Sequence, residues 1–160
     1  MSERATRRSA LGRGLALLGG LVGLGAATEA TAAPGATTLT FHVRGLTHDR
    51  RRGGLPRRGD RLTLQGELLD RPGGRRVGEL HAAAFTLRGP GGGGSAERLE
   101  LHTLVLEDGT LVGSGTADAG GGAYAILGGT GRYAGARGSY AVRRSHEPGA
   151  GDAELVVTLL

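Results

Sequence analysis

The 160-residue chain has no cysteine, no lysine and no tryptophan, and its aromatic residues are two Phe and three Tyr. Without cysteine there is no disulfide, so a folded domain here rests on core packing alone. Without lysine, all twenty basic residues are Arg. Such a bias follows from a GC-rich genome more readily than from a function. With few rings to stack bases on, and charges of both signs mixed along the chain, a nucleic-acid partner is disfavoured. Apolar runs are short and broken by Gly, so none makes a stable membrane span of ~20 residues. Glycine is abundant at 33 residues, yet no Gly-X-Y period exists, which excludes a collagen-like chain. After residue 33 there is no long amphipathic helix pattern.

What is present begins with an export signal. "MSERATRRSALGRG" is basic, "LALLGGLVGLGAA" is weakly apolar, and Ala30 and Ala32 form an A-x-A site. We read residues 1–32 as a signal peptide, removed after Ala32. Arg7 and Arg8 before Ala10-Leu11 resemble the twin-arginine signal; an ordinary Sec signal is the alternative. The expected location is secreted, extracellular or periplasmic, with no stable membrane span in the mature form. Four Arg and two Glu fall within the first 32 residues, leaving 16 Arg against 13 acidic residues in 33–160. The net charge of the mature domain is therefore only +3.

Residues 33–160 form one domain of short alternating segments bounded by Gly, Pro or Asp, the pattern of strands. They are 37–46, 60–70, 76–88, 97–107, 110–117, 123–128, 135–145 and 153–160. In "DRLTLQGELLD", Leu62, Leu64, Gly66 and Leu68 share one face, while Arg61, Thr63, Gln65 and Glu67 share the other. In "ERLELHTLVLE", Leu99, Leu101, Thr103 and Val105 share a face. Eight strands joined in order by short turns predict an all-β fold, an eight-stranded antiparallel up-and-down β-barrel, which leaves no open edge. A two-sheet sandwich is the alternative. Such a barrel is wide enough to be filled by side chains or to hold one small ligand, and small residues such as Ala82–Ala84 leave room. The longest irregular connection, 47–60, is arginine-rich: either an anion-attracting rim or a solvated loop.

"AILGGTGRYAGARGSY" (125–140) contains Gly129-Thr130-Gly131-Arg132-Tyr133-Ala134, a match to the dinucleotide pattern G-x-G-x-x-A. That pattern works only when a helix follows and turns its N–H groups to a pyrophosphate. Gly135 and Gly138 interrupt any helix here, and β-type alternation follows. We read a strand, a glycine turn and another strand.

The same stretch resembles the G-G-T-G-[charged]-[aromatic]-x-x-A-R-G segment of dirigent proteins and the related segment of allene oxide cyclases. "GDRLTLQGELLDRPGGRRVGEL" (59–80) is similar to a second block of these families, and the resemblance covers residues 37–160. It implies an allene-oxide-cyclase-like barrel with an apolar cavity, in families that are often homo-oligomers, trimers in particular. Residue by residue, Arg137 matches the dirigent arginine at the cavity, and Arg132 stands where dirigents often carry an acid. Arg44 stands where the first-strand carboxylate of both families belongs, so neither named activity transfers by residue. Asp49 is the nearest acid.

These readings give an exported barrel that binds a small apolar or phenolic molecule and acts as a cyclase or isomerase by shaping it. The alternative is a non-catalytic ligand-binding or scaffold barrel. The expected catalytic residues are Arg137 and Asp60: Arg137 as an inward oxyanion partner or an exterior ion-pair residue, Asp60 as its mate or a turn residue. Tyr140, Tyr124 and Arg132 are the expected ligand contacts. No cofactor and no metal is expected. His42, His48, His81, His102 and His146 lack tight ligand spacing, although His81 and His102 would make a cross-strand pair. Ser114 and Ser139 lack the His/Asp setting of a nucleophile.

Overall fold

Leucine alternation in the second strand fixes which way the sheet curls. Leu62, Leu64 and Leu68 are buried while Arg61, Thr63 and Gln65 are exposed, so one face of the sheet turns inward. The computed structural model describes residues 35–50, 54–90, 94–145 and 152–160. Residues 1–32, with the expected signal peptide, lie outside the described residues. Eight strands follow in order: β1 (Thr37–Arg50), β2 (Arg61–Leu69), β3 (Arg76–Arg88), β4 (Glu97–Leu106), β5 (Gly109–Ala117), β6 (Gly121–Gly131), β7 (Gly138–Arg144) and β8 (Ala153–Leu159). Each pairs antiparallel with the next, and β1 pairs with β8, so the sheet is a closed barrel. This is the predicted fold. The turns β2–β3, β4–β5 and β6–β7 lie at one end, called lower here. The β1–β2, β3–β4, β5–β6 and β7–β8 connections lie at the upper end.

Three strands differ from the sequence reading, and one of them is β6, which runs from Gly121 to Gly131 where 123–128 was expected. β1 runs on to Arg50 where an irregular segment was expected from Thr47. Its register on β2 shifts between Arg44 and Thr47, a bulge opened by Gly45 at φ 66°. Asp152 holds the bulge: Leu46 N donates to Asp152 Oδ2 at 2.6 Å, and Asp152 N donates to the Val43 carbonyl at 2.7 Å. β7 begins only at Gly138. Residues 132–137 form tight turns instead, with Tyr133 N on the Thr130 carbonyl and Ala136 N on the Tyr133 carbonyl.

The lower interior is apolar. Val43, Leu68, Leu69, Leu104, Leu155 and Val157 are fully buried, and Phe41, Leu80, Leu111 and Ile126 pack with most of them in one cluster. Each large side chain taken from water contributes about 1.5–3 kcal/mol. That burial does the stabilising that a disulfide would otherwise share, the chain having no cysteine. Among the described residues no helix is long and apolar enough to cross a membrane.

Candidate functional site

The upper interior is built differently, and β4 is the cause. Its apolar face, Leu99, Leu101 and Val105, points outward with 41%, 45% and 39% exposure, while Glu100 and His102 point inward at 3% and 2%. The register explains how they fit. Glu100 lies between Ala84 on β3 and Gly115 on β5, and His102 between Ala82 and Gly113. Four small residues thus flank two polar ones. The space they leave is filled by Tyr124 from β6 and Tyr140 from β7, which are Cα partners. Their rings stack at 4.8 Å, 6° from parallel, and the His102 ring lies 4.4 Å from Tyr124.

Glu100 is the electrostatic centre. Its Oε1 accepts Arg98 Nε at 3.0 Å; its Oε2 accepts the Tyr124 hydroxyl at 2.6 Å and faces His102 Nε2 at 3.1 Å. Burial alone would raise its pKa, but the hydrogen bonds from His102, Tyr124 and Arg98 outweigh it and hold the carboxyl at about 2. Glu100 is therefore an anion. Burial and the nearby Glu100 charge both push the hydroxyls of Tyr124 and Tyr140 upward, so both are neutral phenols. Arg98 also donates to the Asp118 carbonyl at 3.2 Å. Asp118 lines a groove of about 460 Å³ at the upper rim with Ser95, Glu97, Thr116 and Gly121, so Arg98 joins the rim to the buried carboxylate. Three buried polar atoms have no hydrogen-bond partner among the described residues: His102 Nδ1, the Tyr140 hydroxyl oxygen and Arg144 Nε.

Of the residues expected from sequence, Tyr124 and Tyr140 belong to this interior cluster. The other three do not. Arg137 is exposed at the lower end, where its Nη1 donates to the carbonyls of Ala136 at 2.9 Å and Leu127 at 3.3 Å. It clamps the outside of the β6–β7 turn. Asp60 sits just before β2 at the upper end, accepting Arg57 N on Oδ2 at 2.8 Å, with its own backbone bonded to Arg57 and Thr86. It is a turn residue. Arg137 and Asp60 lie at opposite ends of the barrel and cannot pair. Arg132 is exposed and meets Asp108 at 3.3 Å. Arg44 is exposed too, bonded to Glu67 at 2.6 Å across the outer face.

Sequence reasoning missed Glu100, Arg98 and Arg144, and treated His102 only as a pair for His81. The register opposes His102 to Ala82 and His81 to Thr103, so the two histidines lie on opposite faces. His81 is part-exposed and meets Glu79 at 3.0 Å. A signal was available: the Glu-Leu-His step places two polar residues two apart, hence on one face of a strand. Among the described residues no group of three or more His, Asp or Glu could hold a metal ion.

No family model and no curated protein matches the chain in sequence. Solved structures do match in shape. A pyocyanin demethylase superimposes with a TM-score of 0.64 at 23% identity, covering 78% of this chain and 100% of that one. A Diels-Alderase from Streptomyces koyangensis gives 0.60 at 23%, with 78% of this chain matched to 63% of that one. A pterocarpan synthase dirigent protein gives 0.60 at 18%, covering 78% and 92%. The chain folds as a dirigent-like barrel. At these identities the likeness concerns the fold and transfers no activity to this dirigent-like barrel.

Proposed function

We propose that the dirigent-like barrel takes a small apolar or phenolic molecule into its upper interior and holds it in a reactive shape, as a cyclase or isomerase does. One observation carries this reading. A buried anion, a stacked tyrosine pair and three unpartnered polar atoms are found in the described residues of one barrel with an apolar core. A filled hydrocarbon core would need none of these, and buried polar groups without partners cost free energy. The neighbours' names supply support of a weaker kind: a Diels-Alderase and a cyclase of [4 + 2] cycloaddition are ring-forming catalysts on this fold. The alternative is a barrel that carries the ligand without changing it.

The test uses the purified full chain with a panel of polycyclic phenols and quinones, read by native mass spectrometry and tyrosine fluorescence. Binding is expected, weakened at least tenfold by Tyr140→Phe. A folded protein that binds none of the panel would sink the reading. Product formation from a bound compound separates the enzyme from the carrier.

Two further parts of the reading concern the molecule's setting. Export through residues 1–32 predicts a mature chain starting at Ala33, with export lost when Arg7 and Arg8 both become Lys if the twin-arginine route is used. Self-association, in a trimer as the family resemblance suggests, would cover the apolar outer face carrying Phe85, Leu87, Leu99 and Leu101.

A further inference from the structure

We propose that His102 is a general base, with Tyr140 and Arg144 as its oxygen-binding partners, and that the site isomerises a small carbonyl compound by moving a proton between two carbons. The proposal rests on the upper interior being a ligand site, and it adds a substrate class and a reaction.

The three unpartnered atoms differ in chemistry. Glu100 is ionised and can only accept hydrogen bonds, so the His102 Nε2 that faces it carries a proton. In the neutral imidazole, Nδ1 is then a bare lone pair, with its tautomer and orientation set by the carboxylate. The Tyr140 hydroxyl and the Arg144 Nε–H are donors. The set is therefore one base and two donors, each buried and each without a partner among the described residues. A buried polar atom left unmatched costs roughly 1–3 kcal/mol, and such groups cluster where another molecule completes them.

They also converge. Gly113 is the Cα partner of His102. The Tyr140 ring lies directly against Gly113, so closely that a Cβ there would overlap it and stand 2.7 Å from the hydroxyl oxygen. Tyr140 thus reaches across β6 to the place where His102 leaves β4, with ring centroids 5.9 Å apart. Arg144 stands four residues beyond Tyr140 on the same face of β7. Among the described residues, the other charged or polar groups facing this region are Glu100, Arg98 and Thr86.

The reaction balances without a co-reactant. In a β,γ-unsaturated ketone, His102 Nδ1 takes a proton from the carbon between the carbonyl and the C=C bond. The C–H electron pair becomes a C=C bond, and the carbonyl π pair moves onto oxygen. That oxygen accepts from Tyr140 O–H and Arg144 Nε–H, while the new imidazolium is stabilised by Glu100. The proton then returns to another carbon of the conjugated enolate, and the double bond has moved. Nothing is oxidised or reduced. Glu100 is a positioning residue in this scheme, because it acts through His102.

The probe is 2-tetralone, a small fused-ring ketone, incubated with the full chain in D2O. One NMR sample reports binding by saturation transfer and α-proton exchange by signal loss. Exchange above the protein-free rate is expected, in proportion to the neutral fraction of His102 read from its ring Cε1–H shift. His102→Gln keeps a donor toward Glu100 but has no basic nitrogen; it should bind yet lose exchange about 100-fold or more. Tyr140→Phe should lose roughly 10- to 100-fold, the scale of one oxyanion donor or somewhat below it. Binding without exchange, or exchange that survives His102→Gln, overturns the base assignment and leaves ligand binding standing. If that variant does not fold, a wild-type rate that ignores the His102 titration overturns it equally. Absence of saturation transfer to the folded protein overturns both proposals.

Discussion

Glu100 and the two tyrosines respond differently to loss of their polar atoms, because only some of those atoms are engaged. The Tyr124 hydroxyl donates to an ionised carboxylate at 2.6 Å, so Tyr124→Phe should destabilise the protein by about 1.5–3 kcal/mol. The Tyr140 hydroxyl has no partner among the described residues. Tyr140→Phe should therefore leave the ligand-free stability unchanged or raise it by up to ~1 kcal/mol, since a desolvation cost is removed. Urea denaturation of the two variants side by side checks the contrast; equal losses would mean that Tyr140 is bonded after all. Glu100 gives a pH prediction. Its pKa falls from 4.5 to about 2 on folding, so the unfolded chain takes up the proton first as pH drops. The stabilisation is whole above about 4.5 and disappears as pH falls through 2. It amounts to something on the order of 3 kcal/mol. Thermal melts of Glu100→Gln should show that acid-dependent loss flattened. At neutral pH the variant should be less stable by roughly 3 kcal/mol, because Arg98 is left without its charge partner.

Among the elements, β4 and the β6–β7 hairpin show what alternation reports and what it omits. The pattern in 97–107 identifies a strand and sorts its residues into two faces. It does not say which face is inside, and the apolar one lies outside. Glu100 and His102 are accommodated because Ala82, Ala84, Gly113 and Gly115 stand beside them on adjoining strands, a fact of register that no single segment contains. Gly113 is the clearest case, since Tyr140 occupies the space of its absent side chain. Gly113→Ala should cost about 1–3 kcal/mol by overpacking, and the near-ultraviolet circular dichroism of the tyrosine pair should change with it. In the hairpin, glycine has a different task. Gly135 holds φ +74° in open space, so Gly135→Ala should cost about 1 kcal/mol of backbone strain and leave the tyrosine signal as it is. The nucleotide-like spacing of this segment thus spans the end of β6 and the turn that follows it. Arg137, the residue that family likeness singles out, braces that turn from outside.

For the whole molecule, closure of the barrel separates two surfaces with opposite roles. The inside carries the polar cluster, and the outside of β3 and β4 carries apolar residues, among them Phe85, Leu87, Leu99 and Leu101 at about 40–45% exposure. Apolar patches of this kind mark contact surfaces. On the proposed self-association, Leu101→Glu should shift the sedimentation profile toward monomer while the far-ultraviolet circular dichroism of the barrel stays as it is, since within one chain Leu101 is 45% exposed. A wild-type chain that sediments as a monomer at micromolar concentration would remove the oligomer from the account. By itself the sequence determined the number and order of the strands, because period-2 alternation and glycine turns are local properties, and it favoured a barrel over a sandwich; the pairing of β1 with β8 that closes it is a tertiary fact. It also singled out Tyr124 and Tyr140, which the structure buries and stacks. Only the tertiary structure decided which face of β4 is buried, that Arg137 and Asp60 stand at opposite ends, and that Arg98, Glu100, His102 and the tyrosines meet. Those facts depend on inter-strand register and on the volume that small residues leave on neighbouring strands, which exist only once the sheet has closed.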